Sequence, residues 1–243
     1  MLLSGRSTAL TVAMTLSCLA LPSCRSEEPA ERPGRGAAPS QGNEQVPGSA
    51  MAEAAERGDA AAIDRLIAAG AAVDVADEVG RTPLLLTVEH DRFEAFKALL
   101  AGGADINAQA KNLDTPWLLA GARGRTEMLR LMIPRGPDLS IRNRYGGNAL
   151  IPACERAHVE TVRLLLAETE IPVDHVNNLG WTCLLEIAIL GSGGPAHVEV
   201  TELVLAAGAD PNLADRNGVT PLAHARSRGH TEVARRIEAA GGR

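Results

Sequence analysis

Residues 81–107 read RTPLLLTVEHDRFEAFKALLAGGADIN, and this stretch decides the fold. Thr82 can cap a helix start by accepting from a backbone N–H of the first turn. Pro83 then stands in that turn, where no amide donor is needed. Leu84 begins an apolar run. A second helix is predicted over Glu94–Leu100, with Phe96, Leu99 and Leu100 on one face. Gly103 supplies the left-handed backbone that ends it, and Asp105–Asn107 leads into a hairpin-like turn. A unit of this kind leaves an apolar flank that only a neighbouring unit can cover.

Such neighbours exist. Thr82-Pro83-Leu84 recurs as Thr115-Pro116-Trp117, Asn148-Ala149-Leu150, Thr182-Cys183-Leu184 and Thr220-Pro221-Leu222, at spacings of 33, 33, 34 and 38 residues. Ala69-Gly70-Ala71, Gly102-Gly103-Ala104-Asp105 and Ala207-Gly208-Ala209-Asp210 form a second series in phase with the first. His158-Val159-Glu160, His197-Val198-Glu199 and His230-Thr231-Glu232 form a third. A period of this length is the mark of a solenoid. The recurring residues resemble the ankyrin-repeat family, and the resemblance runs from about residue 48 to the C-terminus. It implies an all-α stack of about six helix-turn-helix repeats joined by hairpin-like turns. The first repeat, Ala52–Val75, lacks the Thr-Pro start and is expected to be a cap. The last, Gly218–Ala240, carries Arg226, Arg228, Arg235 and Arg236, as an exposed terminal repeat should. The 38-residue spacing comes from Gly191-Ser192-Gly193-Gly194-Pro195, which interrupts the link between two helices of one repeat. It is either a tolerated surface insertion or a loop that touches a partner.

Hydrophobic residues make up 45% of the 243, but aromatics only 2%, so the core is expected to be aliphatic. The formal net charge of -6 argues against nonspecific binding to nucleic acid, which depends on neutralising phosphates.

The N-terminus reads as an address. Arg6 precedes a mostly apolar, uncharged run from Ala9 to Leu21, as in a secretory signal. Leu21-Pro22-Ser23-Cys24 resembles a bacterial lipoprotein box, although Pro22 replaces the usual small residue. The resemblance implies lipidation at Cys24, and the absence of Asp two places later implies the outer membrane. An ordinary secretory signal and an uncleaved anchor are the alternatives. Residues 25–47 are rich in Glu, Pro, Arg, Gly, Ser and Gln and are expected to be a disordered tether. The domain division is thus 1–24, 25–47 and 48–243. The expected location is the periplasm, with membrane contact through Cys24 and the chain monomeric.

Nothing in the sequence carries a recognisable chemistry. Neither Lys97 nor Lys111 follows a Gly, which excludes a phosphate loop. No His-Glu-x-x-His, Cys-x-x-Cys or Gly-x-Ser-x-Gly occurs. His158, His197 and His230 are expected to support the inter-helix turns, and no metal or cofactor is expected. Cys154 and Cys183 lie in first helices of adjacent repeats, which pack about 10 Å apart, and Cys154 lies several residues further along its helix. A disulfide needs alpha carbons within about 7 Å, so none is expected, and each Cys should fill a small core volume.

In the ankyrin family, partners bind the concave face, made by turn tips and the exposed side of each first helix. That resemblance places the candidates at Arg142, Arg144, Tyr145, Glu155 and Arg156 in one repeat, and Asn178, Leu179, Trp181, Glu186 and Leu190 in the next. Exposed Trp, Tyr and Arg are common interface anchors. Alternatively, Tyr145 packs on Trp181, and Glu186 pairs with Arg156 or Arg144. The expected function is a protein-binding scaffold of the envelope, not an enzyme. A small-molecule or glycan-binding protein using Trp181 and Tyr145 is the alternative, with an enzyme around Glu155, Glu186 and Arg156 behind it.

Overall fold

The computed structural model describes residues 47–243, so the signal, Cys24 and nearly all of the expected tether lie outside the described residues. Helices come in six antiparallel pairs: α1 (Pro47–Arg57) with α2 (Ala60–Ala68), α3 (Pro83–Glu89) with α4 (Phe93–Ala101), and α5 (Pro116–Arg123) with α6 (Thr126–Met132). Then come α7 (Leu150–Glu155) with α8 (Val159–Glu168), α9 (Cys183–Leu190) with α10 (Pro195–Ala206), and α11 (Pro221–Ser227) with α12 (Thr231–Ala239). A 3-10 turn at Ile133–Arg135 extends α6. Among the described residues there is no strand.

The first helices α3, α5, α7, α9 and α11 start as their sequences require. The Oγ1 atoms of Thr82, Thr115, Thr182 and Thr220 accept from the backbone N–H groups of Leu85, Leu118, Leu185 and Ala223 at 3.1–3.3 Å. Asn148 does the same work with Oδ1, accepting from Leu150 and Ile151. Gly103 adopts φ +88°, a region that costs a side chain, and its N–H closes the end of α4 on the carbonyl of Leu100. The insertion opens between α9 and α10, where Gly194 precedes Pro195.

The core runs continuously through the stack rather than gathering at a centre, with Ile63, Leu84, Leu99, Leu129, Leu150, Leu165, Leu184, Val200 and Ile237 all buried. It is not wholly aliphatic: Trp117 and Phe96 are the largest fully buried side chains. Successive repeats are also tied by polar contacts. His197 bonds through Nε2 to the Glu155 carbonyl at 2.9 Å, one repeat back. Arg92 donates from Nε to the Glu56 carbonyl at 2.9 Å from the matching place.

The two cysteines overturn the sequence-based expectation. Cys154 and Cys183 form a disulfide, with alpha carbons 5.7 Å apart. Consecutive first helices do not stack level with each other. The residue six places after the cap of one repeat lies against the residue one place after the cap of the next. The preceding pair of repeats has the same register: a Cβ on Gly121 would lie 2.7 Å from Cβ of Ala149. Small residues at these positions let the backbones approach well inside the usual interhelical distance, and in the next pair of repeats the two places are Cys154 and Cys183.

Candidate functional site: a concave groove over three repeats

The tips facing the concave side are built by one recurring device. In four of the tips a short polar side chain opens the turn and accepts from the backbone N–H groups two and four residues on, whereas the tip at 110–114 opens on Ala110. Asp77 takes Val79 and Arg81, Asn143 takes Tyr145 and Gly147, Asn177 takes Leu179 and Trp181, and Asp215 takes Asn217 and Val219, at 2.8–3.0 Å. Adjacent tips join through the backbone: Lys111 N–H donates to the Val79 carbonyl at 3.0 Å, and Asn178 N–H to the Tyr145 carbonyl at 2.8 Å. The intervening join, between the 110–114 and 143–147 tips, is made by a side chain, with Gln109 Nε2 donating to the Arg142 carbonyl at 3.0 Å. These tips thus form one edge.

Between that edge and the first helices lies a groove of about 710 Å³, open to solvent, bounded by the tips at Arg81, Asn112 to Asp114 and Asn143 to Tyr145. Leu85, Leu119 and Pro152 supply its apolar floor, and Arg123, Arg125, Arg156 and His158 its far wall. Arg81 is held on both sides, by Asp77 at 2.8 Å and Glu89 at 3.0 Å. Arg144 reaches Asp114 only at 3.6 Å, and its guanidinium lies 4.6 Å from the ring centre of Tyr145. Arg125 pairs with Asp91 at 2.7 Å. Arg156 donates to the Ala122 carbonyl at 2.7 Å. Burial, then the nearby charges of Arg156 and Arg125, hold the His158 pKa below its ordinary value, against a hydrogen bond to the backbone of Ala122. Burial raises the pKa of Asp114, against the pull of Arg144.

Glu186 sits deeper, at the next repeat, and is only 5% exposed. Its Oε1 accepts from Asn177 Nδ2 at 2.8 Å. Burial above all, and then the like charge of Glu155, push its pKa up to about 7. Among the described residues no group of acids, His and Cys could hold a metal ion.

A family model for ankyrin repeats (three copies) matches residues 36–110 and 117–215. The chain belongs to the ankyrin-repeat family. It is 48% identical over 90 residues to the ankyrin repeat protein YahD of Escherichia coli (strain K12), an alignment covering 37% of this chain and 45% of that protein. It thus spans under half the length of that relative. An ankyrin repeat domain from Acinetobacter baumannii AYE superposes with TM-score 0.76 at 45% identity, covering 79% of this chain and 98% of that one. The ankyrin repeat domain of Bcl-3, a member of the IkappaB family, gives TM-score 0.71 at 26% identity, covering 82% and 88%. Ankyrin repeats are scaffolds for protein–protein interaction, and proteins of the family are in general binders rather than enzymes.

On the ankyrin frame the candidate residues divide. Arg144, Tyr145, Glu155 and Arg156 line the groove. Leu179 and Leu190 are about half exposed but lie beyond it, with Asn178 exposed and Trp181 half-buried on the same later repeat. Arg142 is spent on its own turn, donating to the carbonyls of Leu139 and Ile141. Glu186 is buried and bound to Asn177, so neither Arg156 nor Arg144 is its partner. Tyr145, 53% exposed, takes Arg144 against its ring. Arg81, Asn112, Asp114, Arg123 and Arg125 lie outside the residues singled out from the sequence and are walls of the groove. The signal of Arg123 and Arg125 in the sequence is faint: two basic residues on either side of Gly124, in the turn between the two helices of one repeat.

Proposed function

We propose that this chain is an exported scaffold, tethered to the bacterial envelope through Cys24, that captures a protein partner in its concave groove. The observation that carries the reading is the groove itself. It is wide and open, spans three consecutive repeats, and is lined by tips tied to one another by one backbone and one side-chain hydrogen bond. A preformed surface of this kind limits the ordering cost of binding. Its open shape suits a segment of a protein better than a small molecule or a glycan, which would need enclosure. Export is supported by the secretory-like run Ala9–Leu21 with Cys24 after it, and by the Cys154–Cys183 disulfide, a bond characteristic of oxidising compartments. No helix of the described residues is long and apolar enough to cross a membrane.

The test is site-specific photocrosslinking from position 145 in living cells, followed by fractionation of the envelope. A discrete crosslinked protein that disappears on Arg144→Ala/Arg156→Ala, with the melting temperature unchanged, is the expected result. Cys24→Ala should release the chain from the membrane fraction without abolishing the crosslink. A crosslink that survives the Arg substitutions would show that Arg144 and Arg156 do not hold the partner, and the absence of any crosslink would move the binding surface elsewhere.

A further inference from the structure

The charges of the groove are unbalanced in a way that the whole chain is not. The protein is acidic, with a formal net charge of -6. The groove nevertheless carries Arg81, Arg123, Arg125, Arg144 and Arg156 against only Glu89, Asp114 and Glu155. Arg81 and Arg125 are neutralised by short pairs, and Arg144 is half-engaged at 3.6 Å. Arg123 and Arg156 pair with no carboxylate among the described residues. Arg156 is nonetheless oriented, because its Nη1 is fixed on the carbonyl of Ala122, next to Arg123 in the chain. Two guanidiniums short of counter-ions therefore stand on one wall, and a third lies across the groove on Tyr145.

We propose that the groove recognises an acidic stretch of its protein partner, whose carboxylates bind Arg123 and Arg156 while its backbone passes beside Arg144 and Tyr145. This rests on the reading of the chain as a scaffold. A planar guanidinium takes a carboxylate through two parallel hydrogen bonds, which gives direction as well as strength. The Leu119 and Pro152 floor accepts the aliphatic stems of Glu or Asp neighbours. Glu89, Asp114 and Glu155 decide against the other polyanion, a nucleic acid. Interspersed carboxylates repel a continuous phosphate backbone but leave room for isolated acids on a peptide.

The test uses the purified chain and a fluorescein-labelled peptide of alternating Glu and Gly, read by anisotropy. Matched peptides of Gln and Gly and of Lys and Gly, and a single-stranded oligodeoxythymidine, serve as comparisons. Saturable binding of the Glu peptide is expected, weakening by about tenfold or more in Arg123→Gln/Arg156→Gln and falling with added salt. Arg235→Gln, in the terminal helix, should leave it unchanged, and circular dichroism should be the same for all forms. Equal binding of the Gln peptide, tighter binding of the oligonucleotide, or equal losses in Arg235→Gln would each overturn the proposal. If the Glu peptide fails to bind while photocrosslinking from position 145 still yields a partner, acidic recognition is wrong and the groove reading stands. If both fail, the groove is not the binding surface.

Discussion

Glu186 shows how a single polar residue is accommodated in a stack with little room for one. Asn177 uses Oδ1 to close its own turn and Nδ2 to hold Glu186 at 2.8 Å. Nine residues separate the two, and the same interval in the last repeat joins Asp215 to His224 at 2.9 Å. The polarity is exchanged, so that each pair has one donor and one acceptor. An Asp at position 177 would set a second carboxylate against a buried one, and Asn177→Asp should destabilise the domain by about 2 kcal/mol or more, read by denaturant titration at pH 8. The raised pKa of Glu186 has a definite sign. The folded state favours the protonated acid, so its contribution is fully present below about pH 4.5 and is lost as pH rises through about 7. The difference is on the order of 3 kcal/mol. Glu186→Gln keeps the shape and abolishes the titration. Its melting temperature should drop less than that of the parent chain between pH 5 and pH 8; identical profiles would show that the carboxyl is not buried as described.

Contact between helices is set where small residues meet. In α5, Gly121 leaves no space for a methyl group: its Cβ would meet Ala149 at 2.7 Å on the side chain and 3.0 Å on Cα, in the backbone of the next repeat. Ala at a helical position normally gains up to about 1 kcal/mol over Gly. Here overpacking costs about 1–3 kcal/mol, and because the obstacle is backbone it cannot swing aside. Gly121→Ala should therefore lower the stability of the domain despite its better helix propensity, as a thermal melt will show. One repeat later the same register holds the disulfide, closing a separation of 29 residues. Restricting the unfolded chain over such a loop contributes about 3.5 kcal/mol. The Cys154→Ala/Cys183→Ala double variant should lose about that much. Reductant should have no effect on the folded protein, because both cysteines are 0% exposed, and should act only once the chain opens. Labelling of Cys154 or Cys183 in the unfolded parent chain without reductant would contradict the bond.

At the scale of the molecule, each repeat is stable only because its neighbours cover it. Repeats at the middle of the stack are covered on both sides: α9 has all of Cys183–Ile189 buried, while α12 exposes Arg235, Arg236 and Glu238. Hydrogen exchange should be slowest for α5, α7 and α9 and fastest for α1, α2 and α12; uniform protection would mean that the stack unfolds as one unit instead. The groove lies over the well-covered interior of the stack, where the tips are held by two neighbours. That position keeps the binding surface rigid while the ends remain free to fray.

The repeat was legible in the chain alone, because its signals are local. A Thr followed by Pro, a Gly where the backbone turns left-handed and apolar residues on one helical face act within a few residues, and each recurs in phase. They determined the pairing of helices, the number of repeats and the place of the 191–195 insertion. The axial offset between successive first helices left no such trace. It arises from how closely Gly121, Ala149, Cys154 and Cys183 let neighbouring backbones approach, and only the packed stack brings the two cysteines together. The same holds for the groove. Arg81, Arg123 and Arg156 stand far apart in the chain, and whether a guanidinium faces a partner or is already neutralised depends on carboxylates from other repeats, which only the tertiary structure places.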